Sequence, residues 1–168
     1  MLIDVHLSYN KKVIEIEVRE LTAMVKDTGK TVKIKIVSSI IPTDGELEKY
    51  EMWLEGNHIE KGGSSYLRYE EVQEDLKIQT TVKLTEHQSV IMRRGGVNMR
   101  LPLNPNRRED GHYESPMGSL PITTNTHQLS LEVSKDQQAS GRFLTQYDLI
   151  IGGSSVGHYT LEIHYSEV

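Results

Sequence analysis

Apolar and polar residues alternate along most of this chain. Between positions 158 and 166, Tyr159, Leu161, Ile163 and Tyr165 interleave with His158, Thr160, Glu162, His164 and Ser166. A period of two gives a strand one buried and one solvated face. Val32, Ile34, Ile36, Ser38 and Ile40 stand the same way against Lys33, Lys35, Val37 and Ser39, as do Ile78, Thr80, Val82 and Leu84 against Gln79, Thr81 and Lys83. Weaker alternation marks 46–55, 66–72, 89–94, 97–101, 120–126, 128–133 and 141–151, which makes about ten strands in all. In residues 1–30, Ile14, Ile16 and Val18 alternate as in a strand, while Leu21, Met24 and Val25 also fit one face of a short helix. The β-branched residues favour the strand.

The punctuation between these segments suits hairpins. Asp27-Thr28-Gly29, Thr43-Asp44-Gly45, Glu55-Gly56-Asn57, Lys61-Gly62-Gly63 and Arg94-Gly95-Gly96 each place glycine where a tight turn needs it. One longer connection is expected at 102–111, which carries Pro102, Asn104-Pro105-Asn106 and Asp110-Gly111. A sandwich with Greek-key order needs more long crossings than this, and closure removes exposed sheet edges. The expected fold is therefore all-β, a single antiparallel up-and-down barrel of about eight to ten strands over 1–168. Residues 1–30 are expected to be an N-terminal extension or extra strands.

Composition narrows the class. The chain has 168 residues, 36% of them hydrophobic, and no cysteine, so disulfides, thiolate metal sites and cysteine nucleophiles are excluded. A net charge of -5 argues against general nucleic-acid binding. No apolar run is long enough for a membrane helix, and with only Met1, Leu2 and Ile3 ahead of Asp4 no secretory leader is expected. A cytoplasmic location is the expectation.

Sequence motifs for chemistry are weak. Gly153-Ser154-Ser155-Val156-Gly157 has the spacing of a nucleophile elbow, but an alternating strand follows it where the elbow requires a helix. Phosphate-loop and dinucleotide fingerprints are absent, so no cofactor is expected. Of seven histidines, His158 and His164 share a strand face six positions apart, roughly 20 Å, and no metal site is expected from such spacing. Glu70 and Glu71 are neighbours on a strand and point to opposite faces.

Charge and parity nominate two kinds of surface. Positions 87–108 hold Arg93, Arg94, Arg100, Arg107 and Arg108 without an acid, whereas 44–75 hold ten acids against Lys49, Lys61 and Arg68. If Met52, Leu67, Val90, Met92 and Leu161 face inward, parity brings Tyr50, Tyr69, Arg94 and Tyr165 with them, and Phe143 brings Tyr147. These residues, with Tyr113 near the 102–111 loop, are the candidate lining for a small amphipathic or anionic ligand inside the barrel. The alternative is an outer surface of Arg93, Arg100, Arg107 and Arg108 that grips RNA or an acidic protein, unless neighbouring acids already pair with those arginines. A non-enzymatic binding role is favoured; an active site would place His112 and Tyr113 beside a ligand held by Arg94.

Several strings together carry a family resemblance: Ser38-Ser39-Ile40 with Asp44-Gly45, Tyr66-Leu67-Arg68-Tyr69-Glu70-Glu71, Val82-Lys83-Leu84, and Met92-Arg93-Arg94-Gly95-Gly96-Val97-Asn98-Met99. Tyr113 ahead of Met117-Gly118-Ser119-Leu120, then Thr124-Asn125-Thr126, then Gly141 ahead of Tyr147-Asp148-Leu149 complete the series. Over 32–165 the chain resembles the YwiB-like family of bacterial proteins, assigned to the lipocalin-like or calycin β-barrels. The resemblance implies a cytoplasmic up-and-down barrel and carries over no catalytic residue.

Overall fold

Among the described residues, ten antiparallel strands, each hydrogen-bonded to its neighbours in sequence, close on themselves when the first pairs with both the second and the last. They are β1 (Gly29–Pro42), β2 (Glu48–Lys61), β3 (Ser64–Gln73), β4 (Leu76–Leu84), β5 (Ser89–Gly95), β6 (Asn98–Leu103), β7 (Glu109–Ser115), β8 (Gly118–Val133), β9 (Ser140–Ile151) and β10 (Ser154–Glu167). The structure is a computed structural model and describes residues 29–136 and 138–168. The strand and helix patterns read within 1–28, with Asp27 and Thr28 of the first turn, lie outside the described residues.

Alternation decides what faces the core. Val32, Ile34 and Ile36 of β1 are buried, and the register sets Ile34 against Leu54 of β2 and Tyr165 of β10. The outer face carries charge instead, as in the Lys35–Glu51 pair at 3.3 Å and the Arg142–Glu162 pair at 2.8 Å. An apolar interior under a charged exterior is the reverse of a membrane-spanning barrel. Among the described residues there is no helix. The up-and-down path gathers the start of β1, the β2–β3, β4–β5, β6–β7 and β8–β9 connections and the end of β10 at one end of the barrel.

Four local readings are corrected. The expected loop at 102–111 shrinks to 104–108, because β7 runs through polar residues that give no hydrophobic signal. Pro102 sits inside β6, opposite Val90. It is tolerated because its ring faces Gly111 of β7, beyond Arg100, the last β6 residue paired with that strand, where no ladder bond needs its absent N–H. The segments 120–126 and 128–133 are one strand, β8, interrupted by a bulge at His127. Glu55-Gly56-Asn57 is not a turn but lies within β2, where a Cβ on Gly56 would stand 2.4 Å from the Arg68 carbonyl oxygen. That glycine serves close strand approach and not chain reversal. The β3–β4 turn, which has no glycine, is made by Glu74 and Asp75 at φ of 47° and 68°.

Candidate functional site

Parity along the first and last strands places three side chains at one mouth of the barrel. Lys30 pairs with His58 on the inner-facing row of β1 and β2, and Tyr165 of β10 occupies the same face. They line a cleft of about 540 Å³ with Glu60, Ser134, Asp136 and Ala139, the last three from the β8–β9 connection. The His58 and Tyr165 rings stack at 5.2 Å between centroids and 14° between planes. Room for the tyrosine comes from Gly141 opposite it, where a Cβ would lie 2.5 Å from the Tyr165 hydroxyl. The connection is fastened by Glu167, which accepts from the Ala139 N–H at 2.9 Å and pairs with Lys30 at 3.5 Å.

The electrostatics of the mouth are mixed. Burial pushes the His58 pKa down, and Glu60 only partly offsets this, so the ring is neutral at pH 7. Burial, with Glu60 nearby, pushes the Tyr165 hydroxyl up to about 12. The formal charges in the lining are then Lys30 against Glu60 and Asp136. A second groove of about 760 Å³ continues onto the outer face through Val133, Ser134, Ser140 and Tyr165, ending near Trp53. Trp53 is 69% exposed, with the Lys35 ammonium 5.0 Å from its ring centroid.

Of the residues nominated from sequence for the interior, Tyr165 is the one that lines this cleft. Tyr69, Tyr113 and Tyr147 are buried, while Tyr50 is half-buried and donates to Glu48 at 2.8 Å. Tyr147 stacks on Tyr159 at 5.2 Å and 6°, and burial drives the Tyr69 and Tyr147 hydroxyls far above their ordinary range. Phe143, Tyr147, Leu149 and Ile163 have 0% exposure, so no water-sized space adjoins them. Among the described residues the barrel is packed with its own side chains around these four, whereas the cleft described above lies at the mouth.

Arg94 does not face inward; it is exposed, and Arg93 takes the inner position. The parity assignment failed at this strand because Val90, Ile91 and Met92 are all apolar and give no period. The register with β4 sets Arg93 beside Thr80, on the inner face. Arg93 Nη2 donates to Glu71 Oε2 at 2.7 Å, with each side chain 2% exposed. The proposed outer surface loses Arg93 to this pair, and Arg107 Nε engages Glu109 at 2.8 Å. Arg100 is half-buried and Arg108 exposed.

His112 and Tyr113 are adjacent on β7 and point to opposite faces, and neither lines the mouth. Burial, assisted by Arg100, lowers the His112 pKa to about 4. The Gly153–Gly157 string begins in the β9–β10 hairpin, with Ser155 inside β10. Lys30 and His58 were missed from sequence. Extending the alternation of β1 and β2 to the strand ends finds both.

Comparison with known proteins agrees with this architecture. A curated relative, "Uncharacterized beta-barrel protein YwiB" of Bacillus subtilis (strain 168), is 27% identical over 129 residues, covering 77% of this chain and 89% of that protein. The crystal structure of ywiB protein from Bacillus subtilis superposes with a TM-score of 0.73 at 24% identity, covering 83% of this chain and 93% of that one, and bears on the fold alone. The family model for a domain of unknown function, DUF1934, matches residues 34–163, from the third inward residue of β1 nearly to the end of β10. With that span of the closed barrel accounted for, the chain belongs to the DUF1934 family of YwiB-like β-barrels.

Proposed function

We propose that this barrel is a binding protein that takes one small amphipathic molecule at the mouth formed by Lys30, His58, Tyr165 and the β8–β9 connection. The observation that carries this reading is the cleft of about 540 Å³ floored by the stacked His58 and Tyr165 rings. A planar or apolar body lies against those rings, and polar groups meet Lys30, Glu60 and Asp136 at the rim. With Lys30 already paired to Glu167, the carboxylates of Glu60 and Asp136 disfavour the anionic ligand that inward arginines would have selected and suit a neutral or zwitterionic one. The packed middle of the barrel limits penetration, so the ligand sits across the mouth. A chain without cysteine suits a reducing, cytoplasmic compartment. An outer arginine surface for RNA or an acidic protein has less support, since Arg93 and Arg107 engage Glu71 and Glu109.

The test is titration of the purified protein with Nile red, a neutral amphipathic dye, alongside native mass spectrometry for co-purified molecules. Saturable one-site emission is expected, weakened at least about tenfold by Ala139→Trp, which fills the cleft, and less by His58→Ala. Non-saturable emission, or unchanged binding by a folded Ala139→Trp variant, defeats the reading.

A further inference from the structure

On the outer face, three consecutive strands bring two imidazoles onto one carboxylate. Asp148 of β9 is paired with His158 of β10 on one side and with Asn125 of β8 on the other. The bulge in β8 makes His127 the extra residue: Thr126 stays opposite Tyr147, and Gln128 takes the place opposite Gln146. Released from a pairing row, the His127 ring leans over Asp148. Its Nε2 is 2.6 Å from Oδ2, while His158 Nδ1 is 2.8 Å from Oδ1. The two rings are 5.7 Å apart and tilted by 36°. Bulges commonly re-aim a side chain in this way.

We propose that His127, Asp148 and His158 form a binding site for a divalent first-row transition ion of the Zn²⁺ type. The donor atoms of all three lie within 4.8 Å of one another. A tetrahedral ion with ligands at about 2.1 Å needs donor separations of roughly 3.4 Å, within reach of small rotations of exposed rings. Two imidazoles and a carboxylate select zinc and its neighbours, while the absence of thiolates disfavours copper(I) and the nitrogen donors disfavour calcium and magnesium. Side-chain exposures of 45%, 28% and 38% leave the remaining coordination positions open to water. The cross-strand and same-strand neighbours on this face, Asn125, Gln128, Gln146 and Thr160, carry no charge to repel a cation. The His164–Glu162 contact farther along β10 differs: one imidazole meets a carboxylate already held by the Arg142 guanidinium at 2.8 Å.

The site is tested by calorimetric titration of chelator-treated protein with ZnCl₂, and by the visible spectrum with Co²⁺ as a geometric probe. The expectation is one saturable site, a Zn²⁺-dependent rise in Tm, and tetrahedral Co²⁺ bands. His127→Ala, Asp148→Asn and His158→Ala should each weaken binding at least about tenfold, and His164→Ala should bind as the parent does. His127→Ala removes an exposed ring at a bulge and keeps the test available if Asp148→Asn folds poorly. Absence of saturable binding, or equal binding by the His127→Ala and His158→Ala variants, overturns the proposal.

Discussion

Arg93 and Glu71 come from β5 and β3, with β4 between them, and meet inside the barrel at 2.7 Å with 2% of each side chain exposed. Taking both charges out of water is costly, and their attraction offsets that cost only while both are present. Arg93→Met or Glu71→Leu alone should therefore destabilise by roughly 3–5 kcal/mol, each leaving one buried charge without its counter-ion. The double variant should recover most of that loss. Urea unfolding of the four proteins as a double-mutant cycle checks this, and additive losses would show that the pair is not coupled.

A second prediction concerns acid. His112 has its pKa lowered from 6.5 to about 4 by burial, so between those values the unfolded chain binds a proton that the folded chain does not. Stability should fall as pH drops from 6.5 towards 4, by up to about 1.4 kcal/mol per pH unit, and this group adds nothing further below that. His58, also lowered, acts in the same direction. Glu109, Glu162 and Glu167 are lowered from 4.5, so their contribution is intact above 4.5 and is lost only as pH falls through their folded values. Urea midpoints between pH 7.5 and 4.5 should slope downward in the parent, and the slope should flatten in His112→Gln.

The β3–β4 turn offers a gain. Glu74 and Asp75 both hold positive φ, at 47° and 68°, a conformation that side chains with a Cβ disfavour. Glu74→Asn with Asp75→Gly supplies the residues that such two-residue hairpins prefer and should stabilise by about 1 kcal/mol. A raised Tm with unchanged Nile red binding is the expected result. No gain would mean that the two acids make compensating contacts.

The barrel was legible because most strands have one apolar and one polar face, as β1 and β10 do. Where both faces are covered, parity fails: Val90-Ile91-Met92 concealed which of Arg93 and Arg94 points inward. Where a strand is polar, as in β7, it reads as loop. The break in alternation at Thr126-His127-Gln128 was visible as a gap between two strands, but its meaning required the neighbours. Only the register with β9 and β10 sets His127 beside Asp148 and His158, since these residues are distant in sequence. The mouth was missed for a related reason: Lys30 and His58 are polar residues on the inner row, acceptable there because they line the cleft at the strand ends and not the packed core.

Glycine shows the same ambiguity, and it can be tested. Gly56 and Gly63 look alike in sequence, each beside a charged or polar residue between apolar runs. A Cβ on Gly56 would lie 2.4 Å from the Arg68 carbonyl oxygen and 2.7 Å from Ile34 Cδ1, inside a three-strand contact whose backbone cannot yield. A Cβ on Gly63 meets nothing within 4 Å, and the strain there comes only from its φ of 76°. Gly56→Ala should therefore cost about 2–3 kcal/mol, as overpacking does, with the β2–β3 ladder disturbed. Gly63→Ala should cost about 1 kcal/mol and leave the barrel as it is. Thermal unfolding of the two variants, with amide exchange of β2 and β3 as a local readout, separates the cases. Equal losses would mean that the neighbouring strands give way around the added methyl group and that close approach at Gly56 costs little.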